Sequence, residues 1–215
     1  MKKNMVLLLA TSMLFASVAF SNSTDSVNNG GNSGTGNGSG GSGSVVTKDD
    51  FVGTWTGTLG PVSFSITLNT DGTLVEYQDD EGFTTGNWKV TNSGMTANIS
   101  GVGHFNGRLE NGKIDANYMN YKLVFTKVNT SAYVGTWTGT MGSAQLSITL
   151  DADGTVFTNN SNIEDTTGFW TVTNSGFIMW LNIEDEYPEF GLDGKLQNGK
   201  LVVNFMDDEI SLTKK

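Results

Sequence analysis

The chain has 215 residues, no cysteine, and 22 acidic side chains against 12 Lys and Arg, a formal net charge of −10. The lack of cysteine excludes disulfides, thiolate metal sites, a Cys nucleophile and a lipid anchor attached through cysteine. The acidic balance argues against a nucleic-acid partner, whose phosphates require Lys and Arg, and leaves cationic partners and divalent cations open.

In chain order, residues 1–21 read as an export signal. Lys2 and Lys3 precede an uncharged apolar run from Met5 to Phe20, with small residues at Ala19 and Ser21 suited to cleavage. No other stretch is apolar enough to cross a bilayer, so no membrane span is expected once the signal is removed. The expected location is secreted or periplasmic, in a bacterium. Residues 22–48 follow as a linker, nearly all Gly, Ser, Asn and Thr as far as Ser44. Such a composition cannot bury enough apolar surface to offset ordering, and a coil of this length spans on the order of 25–30 Å.

Two related segments remain, 49–128 and 129–215. Phe51-Val52-Gly53-Thr54-Trp55-Thr56-Gly57-Thr58 returns as Tyr133-Val134-Gly135-Thr136-Trp137-Thr138-Gly139-Thr140. Ser65-Ile66-Thr67-Leu68 likewise matches Ser147-Ile148-Thr149-Leu150. Apolar residues alternate with Ser, Thr and Asn, the mark of half-buried strands. Asp71-Gly72, Asn111-Gly112, Asp153-Gly154 and Asn198-Gly199 mark hairpin turns. The first copy is predicted to hold about eight strands, near 51–59, 62–69, 73–78, 84–91, 95–100, 104–110, 113–119 and 121–127. The second repeats them, with an insertion near Glu184 to Glu189.

The fold class expected is therefore all-β: two tandem small meander barrels with packed interiors. The inward faces include Trp55, Ile66, Leu68, Trp88, Phe105, Ile114 and Phe125, then Trp137, Ile148, Leu150, Trp170, Met179, Leu201 and Leu212. Gly53 and Gly57 would leave room for Trp55.

Gly53-Thr54-Trp55 and Gly135-Thr136-Trp137, each opening a meander barrel, resemble the start of calycin domains, the superfamily of lipocalins and avidins. Trp137, Met141, Gly142, Ser143, Asp153 and Gly154 follow the order of the avidin opening. The resemblance implies a small bacterial lipocalin-like or avidin-like barrel, with the Trp packed across one end. Gly57 and Gly139 stand where avidins carry their biotin-binding Asn, and Pro61 interrupts the pattern in the first copy, so biotin is not expected.

Chemistry-bearing residues are few. His104 has no histidine counterpart in the second copy and reads as a strand-end residue. Asp151-Ala152-Asp153-Gly154 reads as a hairpin, since Thr149 and Asn160 stand where a calcium loop needs acids. The second copy concentrates acids in what should be connections at one barrel end: Glu164-Asp165, Glu184-Asp185-Glu186 with Glu189, and Asp207-Asp208-Glu209. They form a candidate rim for calcium or a cationic protein, or a solvated charged edge. Ile178 and Trp180 replace Thr96 and Asn98 at outward positions. They mark an inter-copy interface, the preferred reading, or a partner site.

The function expected is an exported, non-enzymatic binding protein without cofactors, its ligand or protein partner undetermined. A neutraliser of a cationic extracellular protein is the alternative. A carboxylate-based hydrolase would need a buried acid in a pocket.

Overall fold

The computed structural model describes residues 46–79, 81–118, 121–161, 163–174, 176–181, 190–205 and 208–215, with Ile163, Glu164 and Phe190 placed by backbone alone. The expected signal segment and nearly all of the linker lie outside the described residues.

The described chain opens with one helical turn, α1 (Lys48–Phe51). Thr47 precedes it, and the Asp50 carboxylate accepts from Thr47 N at 2.7 Å and Thr47 Oγ1 at 2.9 Å. Those hydrogen bonds hold the Asp50 carboxyl below its ordinary range. Eight strands follow: β1 (Gly53–Leu59), β2 (Val62–Leu68), β3 (Thr73–Gln78), β4 (Gly82–Thr91), β5 (Gly94–Ile99), β6 (Gly103–Glu110), β7 (Lys113–Tyr118) and β8 (Tyr121–Val128). Each pairs antiparallel with the next, and β8 returns to β1 through Thr54↔Val128 and Trp55↔Lys127. The second copy repeats the arrangement: β9 (Gly135–Met141), β10 (Ala144–Leu150), β11 (Thr155–Asn160), β12 (Ile163–Thr173), β13 (Gly176–Leu181), β14 (Phe190–Gln197), β15 (Lys200–Phe205) and β16 (Asp208–Lys214). Here β16 closes on β9 through Lys214↔Trp137. Two closed eight-strand barrels stand in tandem, as the alternation and turn spacing require. Closure pairs the strand edges that a flat meander would expose.

The strand bounds differ from the expected ones mainly at the start. Phe51 belongs to α1, not to a strand, and is fully buried beneath Trp88, ring centroids 6.2 Å apart. A helical turn of four residues has no period to read.

Each interior is filled by one cluster of side chains. In barrel one Trp55, Ile66, Leu68, Met95, Ile114 and Phe125 are all at most 2 % exposed. In barrel two Trp137, Ile148, Leu150, Phe177, Met179, Leu201 and Leu212 are equally closed off. Burying a side chain of this size stabilises by about 1.5–3 kcal/mol.

The two tryptophans of the repeated octapeptides sit identically. Trp55 Nε1 donates to the Phe51 carbonyl and Trp137 Nε1 to the Tyr133 carbonyl, both at 2.7 Å. Lys127 and Lys214, from the last strand of each barrel, place their ammonium groups 5.2 and 5.3 Å from the ring centroids. The neighbouring glycines leave room for this last strand, not for the tryptophan. A Cβ on Gly57 would lie 2.8 Å from the Val124 carbonyl oxygen, and one on Gly135 2.8 Å from Lys214 Cε.

The barrels belong to one compact unit and touch through their outer walls. Ser65 and Thr67 on β2 and Val75 and Tyr77 on β3 alternate with core residues, so they face outward; all are nonetheless buried. Ser65 Oγ lies 2.5 Å from Thr171 Oγ1 of β12. Asn69 Nδ2 donates to the Asp153 carbonyl at 3.1 Å. Phe83 of β4 packs on Tyr77 at 4.9 Å, on Phe169 at 6.2 Å and edge-on to Trp180 at 6.3 Å. Gly82 permits that approach, since a Cβ there would lie 2.6 Å from the Trp180 ring.

Candidate functional site

The meander sets where the acids fall. The β9–β10, β11–β12, β13–β14 and β15–β16 connections lie at one end of barrel two because successive strands alternate direction. Glu164 and Asp165 are not in a connection: they are early residues of β12. Asp208 and Glu209 likewise begin β16. Strand residues alternate between faces, so Asp208 and Glu209 diverge, whereas at Glu164 and Asp165 the β11–β12 register shifts between Thr158↔Thr166 and Asn160↔Ile163. Asp165 shares its parity with outward Phe169 and Thr171, is exposed, and accepts a hydrogen bond from Asn159 Nδ2. Glu209 lies outward beside Asn204, whose amide donates to Asp193 Oδ2 at 2.7 Å. Asp208 shares the inward parity of Ile210 and is exposed. Glu184, Asp185, Glu186, Glu189 and Asp207 lie outside the described residues. Among the described residues no group of three or more His, Asp or Glu is placed to hold a metal ion.

Trp180 and Ile178 face outward on β13. Trp180 lies opposite Phe169 on β12 and covers Gly82 and Phe83 of barrel one, which places it in the junction. Its Nε1 is buried and finds no acceptor among the described residues. Ile178 is half-buried opposite Thr171, the junction residue paired with Ser65. An open groove of about 570 Å³ also lies where the copies join, lined by Thr54, Lys127, Asn129, Ser131, Val134 and Ala152 among others. His104 is exposed on β6, with Nδ1 3.1 Å from Asn98 Oδ1. Asp153 closes its hairpin by accepting from Thr155 N and Oγ1 at 2.9 and 2.6 Å.

One ionisable residue escaped the sequence reading. Glu76, on β3, shares the inward parity of Leu74 and is 4 % exposed. It lies between Ile66 of β2 and Thr84 of β4, and Thr84 Oγ1 donates to its Oε2 at 2.6 Å. Burial pushes its carboxyl up to about 7; the Thr84 bond opposes the rise and the Glu81 charge adds to it. Tyr118 of β7, donating to the Val102 carbonyl at 2.9 Å, is itself raised, first by burial and then by the Glu76 charge. The corresponding residue of barrel two is Thr158, also buried, facing Thr166. The pairing Leu68↔Leu74 across Asp71-Gly72 puts Glu76 on the core face. In the sequence this is obscured by Leu74-Val75, two adjacent apolar residues that allow either parity.

Comparison of the chain with protein-family models, with curated proteins and with solved structures finds no match.

Proposed function

We propose that the chain is an exported, non-enzymatic binding protein built on two calycin-like barrels, with recognition at the acid-bearing end of barrel two. The observation that carries this reading is the filling of both interiors, Trp55 and Trp137 at their centres with 1 % and 2 % exposure. Packed barrels serve as rigid supports, and binding then falls to their connections. Near that end barrel two carries more described acids, Glu164, Asp165, Asp208 and Glu209, than barrel one, which has Asp79 and Glu81 at its β3–β4 connection. Their sign selects a cationic partner, either a basic protein or calcium. A hydrolase is not favoured, because the Glu76 carboxyl is shut off from any substrate by its burial.

Polylysine and calcium chloride, titrated separately into the full chain in a calorimeter, test the reading. Heat with polylysine that disappears at high salt, and that Asp165→Asn, Asp208→Asn and Glu209→Gln together weaken, supports a basic protein partner. Heat with calcium alone makes the rim a cation site. No heat with either removes the acidic end as the recognition surface.

A further inference from the structure

We propose that Glu76 makes the seat of barrel one on barrel two responsive to pH: protonated, it lets β3 close on β4 so that Tyr77 and Phe83 hold Trp180; ionised, it opens that end of β3 and loosens the junction. This inference is independent of which partner the acidic end takes.

The geometry joins the two events through one strand. Glu76 points into barrel one, while its immediate neighbours Val75 and Tyr77 point into the junction. Tyr77 packs on Phe83, and Phe83 on both Phe169 and Trp180. Val75 lies on the other flank, where its Cβ would be 3.6 Å from a Cβ on Gly154. A carboxylate inside the barrel needs several hydrogen-bond donors, and the one described for it is the Thr84 hydroxyl. Water reaches it most readily by separation of β3 from β4 near the Gln78↔Gly82 pair, the end that carries Phe83.

The groups facing Glu76 strengthen the response. Glu81, at the β3–β4 turn, and Tyr118, on β7, both disfavour its charge or are disfavoured by it. β2 and β5 carry no ionisable side chain. Lys89 on β4, His104, Arg108 and Glu110 on β6, Lys113 and Asp115 on β7 and Lys122 on β8 sit at outward parity; Asp115 and Lys122 pair there at 2.9 Å. Lys127 covers Trp55 near the far end of β8. No described cation therefore faces the carboxylate from these strands. Barrel two supplies an internal control, because Thr158 occupies the same place without a charge to change.

The sign follows from the raised carboxyl. Its stabilising contribution is fully present below the ordinary value of 4.5 and is lost as pH rises through about 7. The test is thermal unfolding of the full chain across that range, beside Glu76→Gln and Glu76→Thr, with amide hydrogen exchange read at matched pH. The wild-type midpoint should fall on the order of 10 °C as pH rises, and both variants should stay nearly level. Protection should drop in β3 and β4 of the wild type, while β11 keeps its protection. The threonine variant copies what barrel two already accommodates, so it reports even if the glutamine variant folds poorly. A level wild-type profile, a slope retained in the variants, or equal loss of protection from β3 and β11 overturns the proposal.

Discussion

At the scale of single residues, the same tryptophan does the same work twice. Trp55 and Trp137 each bury an indole, donate to a carbonyl from the segment before the first strand, and accept a lysine over the ring. Truncating such a group leaves a cavity that the closed barrel cannot collapse. Trp137→Ala is expected to cost about 3–5 kcal/mol in urea unfolding of the full chain. Glu76 acts in the opposite direction. Its carboxyl is raised from 4.5 to about 7, so above neutral pH the folded state carries a buried charge that costs about 3 kcal/mol. Glu76→Gln should therefore stabilise the chain by up to about 3 kcal/mol at pH ~8 and leave it nearly unchanged at pH ~4. The tryptophans were legible in the sequence because they alternate with Thr and Gly over a repeated run. Glu76 was not, because strand parity depends on a register that only the paired strands reveal.

At the scale of elements, the hairpins show how local chemistry sets the meander. Asn111 and Gly112 have φ of 52° and 73°, and Asn198 and Gly199 have 52° and 74°. These positive angles suit the tight turns that follow the right-handed twist of the strands. A β-branched side chain pays the left-handed penalty, so Asn111→Val should cost about 1–2 kcal/mol, whereas Asn111→Gly should change stability little in the same denaturant titration. The turn residues and the alternation made the eight strands of the first copy legible to within about two residues, and the second copy was read as their repeat. The acidic segments were read less well. β12 begins at Ile163 and β16 at Asp208, so four acids assigned to connections, Glu164, Asp165, Asp208 and Glu209, are strand residues. Alternation then sends Glu209 outward and leaves Asp208 at the inward parity.

At the scale of the whole molecule, duplication has produced two packed barrels joined by their walls. The aromatic contact between Phe83 and Trp180, over the gap left by Gly82, ties them. Trp180→Asn, which restores the residue type of the first copy, should weaken that tie. Calorimetric unfolding is expected to resolve into two transitions, one per barrel; a single unshifted transition would show that the hydroxyl pair Ser65–Thr171 and the Asn69–Asp153 bond suffice. The barrel-two side of the junction was legible in the sequence, where Ile178 and Trp180 replace Thr96 and Asn98 at outward positions; the face of barrel one they meet, Tyr77, Gly82 and Phe83, was not, since no local pattern states which faces a tandem pair brings together. What the barrels share is structural: the tryptophan plugs, the lysine covers and the turns. What separates them is a buried carboxyl in barrel one and the larger set of acids at one end of barrel two.

The central claim is that recognition belongs to that end of barrel two and not to either interior. A nuclear magnetic resonance titration of the isotope-labelled full chain with polylysine addresses it directly. Shifts concentrated at Asp165, Asp208 and Glu209 and in the 182–189 connection, with the indole signals of Trp55 and Trp137 unmoved, are the expected result. Shifts centred on those two indoles, or on the walls of barrel one, would contradict it.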